Sequence, residues 1–274
     1  IRRQRQMCIR DRAYIMSTIL FDQIVFGPIH SRRLGSSLGL NLLPFDGKVC
    51  SFDCIYCECG YNKDGRTKTP LPSREQVKAA LDHKLHQLKA ENIAIDVITF
   101  AGNGEPTLHP HFAEIIDDTI ALRNKLYPEA KISVLSNAMH MGKEKVFDAL
   151  KKVDNNILKL DSAFIETVRL IDQPAAPSYS IEKQIELFKK FDGNFILQTM
   201  FLKGTHNGKH IDNTTNVEID AWVDIIKQTQ PKEVMIYTID RETPEKKLEK
   251  IPVEKLREIG IKVQELGIKI NIAG

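Results

Sequence analysis

The sequence predicts an α/β protein in which parallel strands line an incomplete barrel and helices cover its outside. Three observations lead there. Helical and strand-like periods alternate from residue 73 to the end of the chain, the pattern of repeated strand–helix units. Neither a sequence repeat nor a Pro/Gly/Ser-rich linker interrupts them, so residues 16–274 are expected to form one domain. Within the strand-like stretches, one face is consistently more polar than the other. A doubly wound sheet with helices on both sides would be apolar on both faces, so a polar face suits a barrel with a wet, ligand-holding interior.

The elements follow in order. An apolar stretch over 37–43 is a candidate first strand. Ser73 then caps a helix with Gln76 in the third position, a capping box. Val77, Leu81, Leu85 and Leu88 share one face of that helix, which is expected to end near Glu91. DVITFA, 96–101, reads as a strand, and Phe112, Ile116 and Ile120 mark an amphipathic helix. Further strands are expected over 131–136, 156–161, 194–201 and 233–239, and a last one over 268–272. Because alternate strand residues share a face, Lys159 and Asp161 oppose Leu158 and Leu160. Thr99 likewise opposes Ile98 and Phe100, Ser133 opposes Ile132 and Val134, and Gln198 opposes Leu197. Chemistry in parallel α/β architectures sits beyond the carboxyl ends of the strands. Those ends carry Gly102-Asn103-Gly104-Glu105, Ser136-Asn137, Asp161-Ser162 and Asp240-Arg241, and a cysteine-rich loop follows the first strand.

The 274 residues are 42% hydrophobic and contain no apolar run approaching the ~20 residues a membrane helix needs, so no membrane partner is expected. The first fifteen, IRRQRQMCIRDRAYI, read as a non-native leader: Met7 to Arg12 resembles a translated sequencing-adapter end, and Met16 is the expected start. The competing reading is a transit peptide, but the stretch lacks the expected serines. The leader holds five Arg and one Asp, so without it the formal charge of +3 becomes −1. A near-neutral chain has no global field to attract nucleic acid. Apart from Cys8 in the leader, every cysteine lies between 50 and 59, with no distant partner and no signal peptide before Met16. That usage suggests a cytoplasmic protein whose thiols serve a metal or redox site.

Cys50, Cys54 and Cys57 are spaced C-x3-C-x2-C, with Cys59 left over. Soft thiolates bind zinc, copper(I) or iron–sulfur clusters. Structural zinc wants four ligands, commonly as two separated pairs, and here Cys59 would have to be the fourth. An iron–sulfur cube held by three cysteines keeps one iron without a protein ligand, the open position a catalytic centre requires. Cys50-Ser51-Phe52-Asp53-Cys54-Ile55-Tyr56-Cys57 resembles the C-x3-C-x-aromatic-C signature of the radical S-adenosylmethionine (SAM) superfamily. VFGPIHSRRLGSSLG before it and TFAGNGEPTLHPHF after it resemble the wyosine-synthase-like branch.

The resemblance implies a partial (β/α)6 barrel and a [4Fe-4S] cluster on Cys50, Cys54 and Cys57, with SAM on the fourth iron. It further implies reductive cleavage to a 5′-deoxyadenosyl radical, hydrogen abstraction from an unidentified small molecule, peptide or RNA, and a reducing partner such as flavodoxin or ferredoxin. By the same resemblance, Gly102, Gly104 and Glu105 match a glycine-rich GGE segment that meets the methionine ammonium, with Asn103 standing where many relatives have glycine. Tyr56 is expected near the adenine, and Asn137 and Asp161 near ribose or carboxylate; tight turns would explain the same residues. Cys59 reads as a spare thiol, and Lys159 with Asp161 as an interior ion pair or a carboxylate contact. Arg32 and Arg33 are either solvated or hold a substrate anion. His109 and His111 suit a helix start, and Lys246, Lys247 and Lys250 a solvated face. A tRNA-modifying wyosine-type synthase and a noncatalytic, zinc-stabilised binding protein are the alternatives.

Overall fold

The computed structural model describes residues 19–31, 33–65 and 68–274. The leader and Arg32 lie outside the described residues. Strands β1 (Val25–Ser31) and β2 (Gly35–Leu40) form an antiparallel hairpin. Helix α1 (Arg74–Ala90) leads to β3 (Val97–Phe100), and α2 (Phe112–Leu126) to β4 (Lys131–Ser136). Helix α3 (Glu144–Lys152) precedes β5 (Asn155–Lys159), and α4 (Ile165–Ile171) and α5 (Ile181–Lys189) precede β6 (Ile196–His206). A short strand β7 (Lys209–Asp212), α6 (Asn216–Thr229), β8 (Glu233–Thr238), β9 (Leu248–Lys250), α7 (Val253–Gln264) and β10 (Lys269–Ala273) complete the chain. The sheet runs β1-β2-β3-β4-β5-β6-β8-β10, parallel from β2 onward, and β1 and β10 leave it open. The curled half-barrel is the architecture expected from the strand faces.

Helix α1 forms where its capping box places it. Ser73 Oγ accepts from the Gln76 amide, Gln76 Oε1 accepts from the Ser73 amide, and Val77, Leu81, Leu85 and Leu88 are buried. Outside the barrel, Ile98, Phe100, Ile132, Val134, Leu158 and Leu197 are fully buried under the helices. Each such side chain contributes about 1.5–3 kcal/mol on leaving water.

Two expectations need correction. The first parallel strand ends at Leu40 rather than residue 43, because the Asn41 side chain takes the backbone out of the ladder by binding the Leu43 amide and carbonyl. The interior is also less polar than strand alternation implied. Ile157, Ile196 and Met235 face inward with Leu34 and Leu135 as an apolar plug toward the amino-terminal end. Several of the polar residues there are paired already: Ser37 with Thr99 at 2.8 Å and Asn155 with Ser133 at 2.9 Å. Lys159 and Asp161, at the carboxyl end of β5, and Tyr237, near that of β8, stand higher up.

Candidate active site

The cysteine loop crosses the carboxyl end of the barrel and is sewn down by main-chain bonds. Val49 pairs with Asn103 and Glu105 beyond β3, Asp53 and Ile55 donate to Asp172 and Ile171 at the end of α4, and Glu245 donates to Ile55. Asn62 braces it from within: its Oδ1 accepts from the Cys50 amide, and its Nδ2 donates to the Cys50 and Phe52 carbonyls. Gly104 shows why this rim needs glycine. Its φ is +135°, and a Cβ there would lie 1.9 Å from the Val49 carbonyl oxygen, so the cysteine loop's own backbone fills the space. Asn103 ties the same rim to Phe21 and Pro44 through bonds of 2.8 Å.

Cys54 is buried, while Cys50, Cys57 and Cys59 are partly so, and all four are free thiols. Several donors address the sulfurs: the Phe52 amide at 3.4 Å and Asn137 Nδ2 at 3.5 Å to Cys50, and Lys159 Nζ at 3.3 Å to Cys54. Two cations flank them, buried Lys48 and partly buried Lys159. Lys48, 2% exposed, holds its ammonium between Asp53 Oδ1 and the Gly60 carbonyl. Burial opposes its charge, but the fields of Cys57, Cys54, Cys50 and Asp53 prevail and raise its pKa. Burial pushes the Cys50 thiol up to about 12. Cys57 goes the other way, to about 6, chiefly because Cys59 donates a hydrogen bond to it. Cys59 Sγ also lies 3.4 Å from the Gly102 carbonyl, an alternative acceptor for its single proton. Among the described residues, no three His, Cys, Asp or Glu side chains converge tightly enough for a single ion. Three thiols that do not converge on a single ion, beside buried Lys48 and partly buried Lys159, fit an anionic polynuclear cluster better than a zinc tetrahedron.

The remaining candidate residues form two networks. In the first, Glu105 accepts from Thr107, Ser136 and the Asn137 amide, with three bonds on Oε1 and one, at 2.7 Å, on Oε2. Burial raises its pKa against these bonds. The carboxylate therefore staples the β3 rim to the β4 rim and keeps spare acceptor capacity on Oε2 alone. Asn137 reaches Ser51 at 3.0 Å and so lies against the cysteine loop. In the second network, Lys159 is paired with Asp161 at 2.8 Å and Asp172 at 2.6 Å. The Asp172 Oδ1 contact is ionic without hydrogen-bond alignment. Tyr56 donates to Asp161 Oδ2 at 2.5 Å and contacts Lys159, whose ammonium also lies 4.4 Å from its ring centroid. Burial opposes the Lys159 charge, and Asp161 and Asp172 outweigh it. The interior ion pair expected from the strand face is present. Asn213 fixes the end of β5 to β6 through the Asp161 and Met200 carbonyls.

Lys48, Asn62, Asp172 and Asn213 escaped the sequence reading. Lys48 and Asp172 had only weak signals, a charge beside the cysteines and an acid at a helix end; Asn62 and Asn213 had none, since their partners are distant in sequence. His109, buried and 2.8 Å from the Pro72 carbonyl, and His111, which precedes α2, take structural roles as expected.

The sequence profile of the radical SAM superfamily matches residues 46–217, from just before Cys50 through the Lys159–Asp161 network. The chain belongs to the radical SAM superfamily. Members of the radical SAM superfamily use a [4Fe-4S] cluster and SAM. Among curated relatives, a protein of Brachyspira hyodysenteriae named GTPase Obg is 31% identical over 235 residues, 85% of this chain and 32% of that protein. A UPF0026 protein of Helicobacter pylori strain J99 is 31% identical over 220 residues, 80% of this chain and 67% of that one. The radical SAM chain thus spans about a third of the first relative's length. Its half-barrel superposes on SAM-bound Streptococcus suis SuiB with a TM-score of 0.61 at 16% identity, covering 86% of this chain and 50% of that one. A structure of TYW1 with a lysine-pyruvate adduct gives 0.54 at 15% identity, covering 84% and 73%. These two likenesses concern the fold.

Proposed function

We propose that residues 16–274 form one radical SAM domain that reductively cleaves SAM at a [4Fe-4S] cluster on Cys50, Cys54 and Cys57, and abstracts hydrogen from a substrate. The observation that carries this reading is the C-x3-C-x2-C set of thiols, with N–H donors on Cys50 and Cys54, flanked by buried Lys48 and partly buried Lys159. When bound, the cluster supplies the low-potential electron and SAM the hydrogen-abstracting fragment. The chain's own residues hold the thiols, lower the local negative charge and shut out water around Cys54. Oε2 of Glu105 offers the methionine ammonium its acceptor, beside Gly102 and Gly104. Tyr56, Asn137 and Asp161 border the nucleoside side, although all three are already hydrogen-bonded within the protein. A low-potential donor such as flavodoxin or ferredoxin would supply the electron.

The wyosine-type, tRNA-modifying alternative draws on the flanking motifs, but the near-neutral chain has no global cationic field to support it. Against a lysine-pyruvate adduct at Lys159 like the one named for TYW1, the ion pairs to Asp161 and Asp172 favour the charged ammonium over the free amine. GTP hydrolysis, suggested by one relative's name, lacks a G-x4-G-K-[ST] loop in these 274 residues.

The test is anaerobic reconstitution with iron and sulfide, reduction, and assay of 5′-deoxyadenosine. Brown protein with about four irons and SAM-dependent 5′-deoxyadenosine is the expected result for a cube-type cluster. Cys54→Ala abolishes the cluster and Cys59→Ala spares it. Colourless, zinc-containing protein, or loss of metal in Cys59→Ala, would overturn the reading.

A further inference from the structure

Among the described residues, one interior cation is left unused by the site described above. Arg33 lies in the turn between β1 and β2, beside Leu34 of the apolar plug at the amino-terminal end of the barrel. Its side chain crosses the open interior, and its guanidinium sits 4.6 Å from the ring centroid of Tyr237 on β8. It therefore borders two cavities. One, of about 410 Å³, opens between the amino-terminal ends of the strands and is also lined by Asp96, Lys131 and Lys269. The other, of about 70 Å³, lies at the carboxyl end against Tyr56, Met200, Tyr237 and Thr243.

Nη1 of Arg33 is buried and has no hydrogen-bond partner among the described residues. A buried polar N–H without an acceptor costs about 1–3 kcal/mol, and more when it carries charge. The Tyr237 ring attracts the cation but accepts no in-plane N–H. Other charges near the upper cavity are matched: Glu58 with Arg241 at 2.6 Å, Asp240 with Lys250 at 3.8 Å, and Lys159 with Asp161 and Asp172. Among the described residues near that cavity Arg33 is the exception: its Nη1 is unpartnered, and a guanidinium suits a planar or tetrahedral oxyanion.

We propose that Arg33 binds an anionic group of the substrate, a carboxylate or a phosphate, in the upper cavity. This rests on the radical SAM reading and narrows the substrate to an acid. The anion anchors one end against Tyr237, and the rest of the substrate extends past Tyr56 toward the cysteine loop. The hairpin tip therefore both plugs the barrel and delivers its specificity group.

The test is a calorimetric titration of oxidised, cluster-loaded protein with SAM bound, so that the SAM carboxylate site is filled. Inorganic phosphate and acetate are the probes. At least one of them binds, and Arg33→Met weakens it by about tenfold or more, as expected for a charge-assisted pair. Arg33→Lys weakens it less, since it keeps the charge and loses the fork. Preference for phosphate or for acetate identifies the acid. Binding of neither anion, or binding within about twofold of wild type in Arg33→Met, overturns the assignment. Should Arg33→Met fold poorly, the ¹⁵N-arginine Nε–H resonance that disappears in Arg33→Lys serves instead. It shifts with the anion if the site is real and stays fixed if not. Titration needs no reduction, so 5′-deoxyadenosine from wild type judges the radical reading separately. 5′-Deoxyadenosine without anion binding sinks only the Arg33 site, and anion binding without 5′-deoxyadenosine sinks only the radical chemistry.

Discussion

At Gly104 a single methyl group decides whether the cysteine loop can close over the barrel. A Cβ would collide with backbone, the Val49 carbonyl, at a φ that L-residues rarely adopt, and backbone cannot swing aside as a flexible side chain can. Gly104→Ala should cost about 3 kcal/mol and lose most bound iron although every cysteine remains, as iron analysis and thermal melting will report. Iron retained at wild-type stability would show that the rim relaxes. Lys48 acts by charge. Its field favours the thiolate form of all three cysteines, working against the burial that raises Cys50 and Cys54, and positive charge favours the reduced, more negative cluster. Lys48→Met should load iron but shift the cluster's reduction potential to more negative values in an electron paramagnetic resonance titration. Asp53, left unpaired, is partly exposed and can be solvated. An unchanged potential would mean that Asp53 already cancels the ammonium.

Among the elements, α1 and α2 are joined by Asp118, whose oxygens accept from Arg74 at 2.7 and 3.1 Å and from Lys78 at 3.0 Å. The Arg74 hydrogen bond leads in lowering the Asp118 pKa, with burial opposing and Lys78 assisting. A lowered folded-state pKa means that the stabilisation is present above the unfolded value near 3.9 and is lost as pH falls through the folded value. Asp118→Asn should therefore lower Tm by about 2 °C at neutral pH and leave it nearly unchanged in acid below both values. A drop of equal size in acid would point to lost packing. Helix α1 was legible to the residue because capping and periodicity are local signals. Strand β6 was not: expected to end at residue 201, it runs to His206 because its end pairs with β7 and β9, and such pairing leaves little trace in the strand's own residues. β1 was missed for the same reason: VFGPIHS was assigned no element, and its ladder exists only with β2 beside it.

For the molecule as a whole, the barrel core and the cysteine loop draw on different interactions. The core is apolar burial beneath the helices, centred on residues such as Phe100, Leu158, Leu197 and Trp222. The loop is held by hydrogen bonds to the rim and by whatever its thiols bind. Apoprotein should thus keep native far-ultraviolet dichroism and the buried signal of Trp222, the one tryptophan, while melting several degrees below the cluster-loaded form by mass action. An unfolded apoprotein would mean that the cluster organises the barrel itself. The linear order of residues already specified the α/β alternation, the amphipathic faces and the C-x3-C-x2-C triad, since each rests on contacts or ligands a few positions apart. Folding alone decided that Gly104 makes room for Val49, that Lys48 and Lys159 flank the thiols, that Asp172 joins Lys159, and that Arg33 crosses the barrel to Tyr237. Those pairs are far apart along the chain or hidden in loops, and burial, charge matching and close approach become physical quantities only when the chain has brought them together.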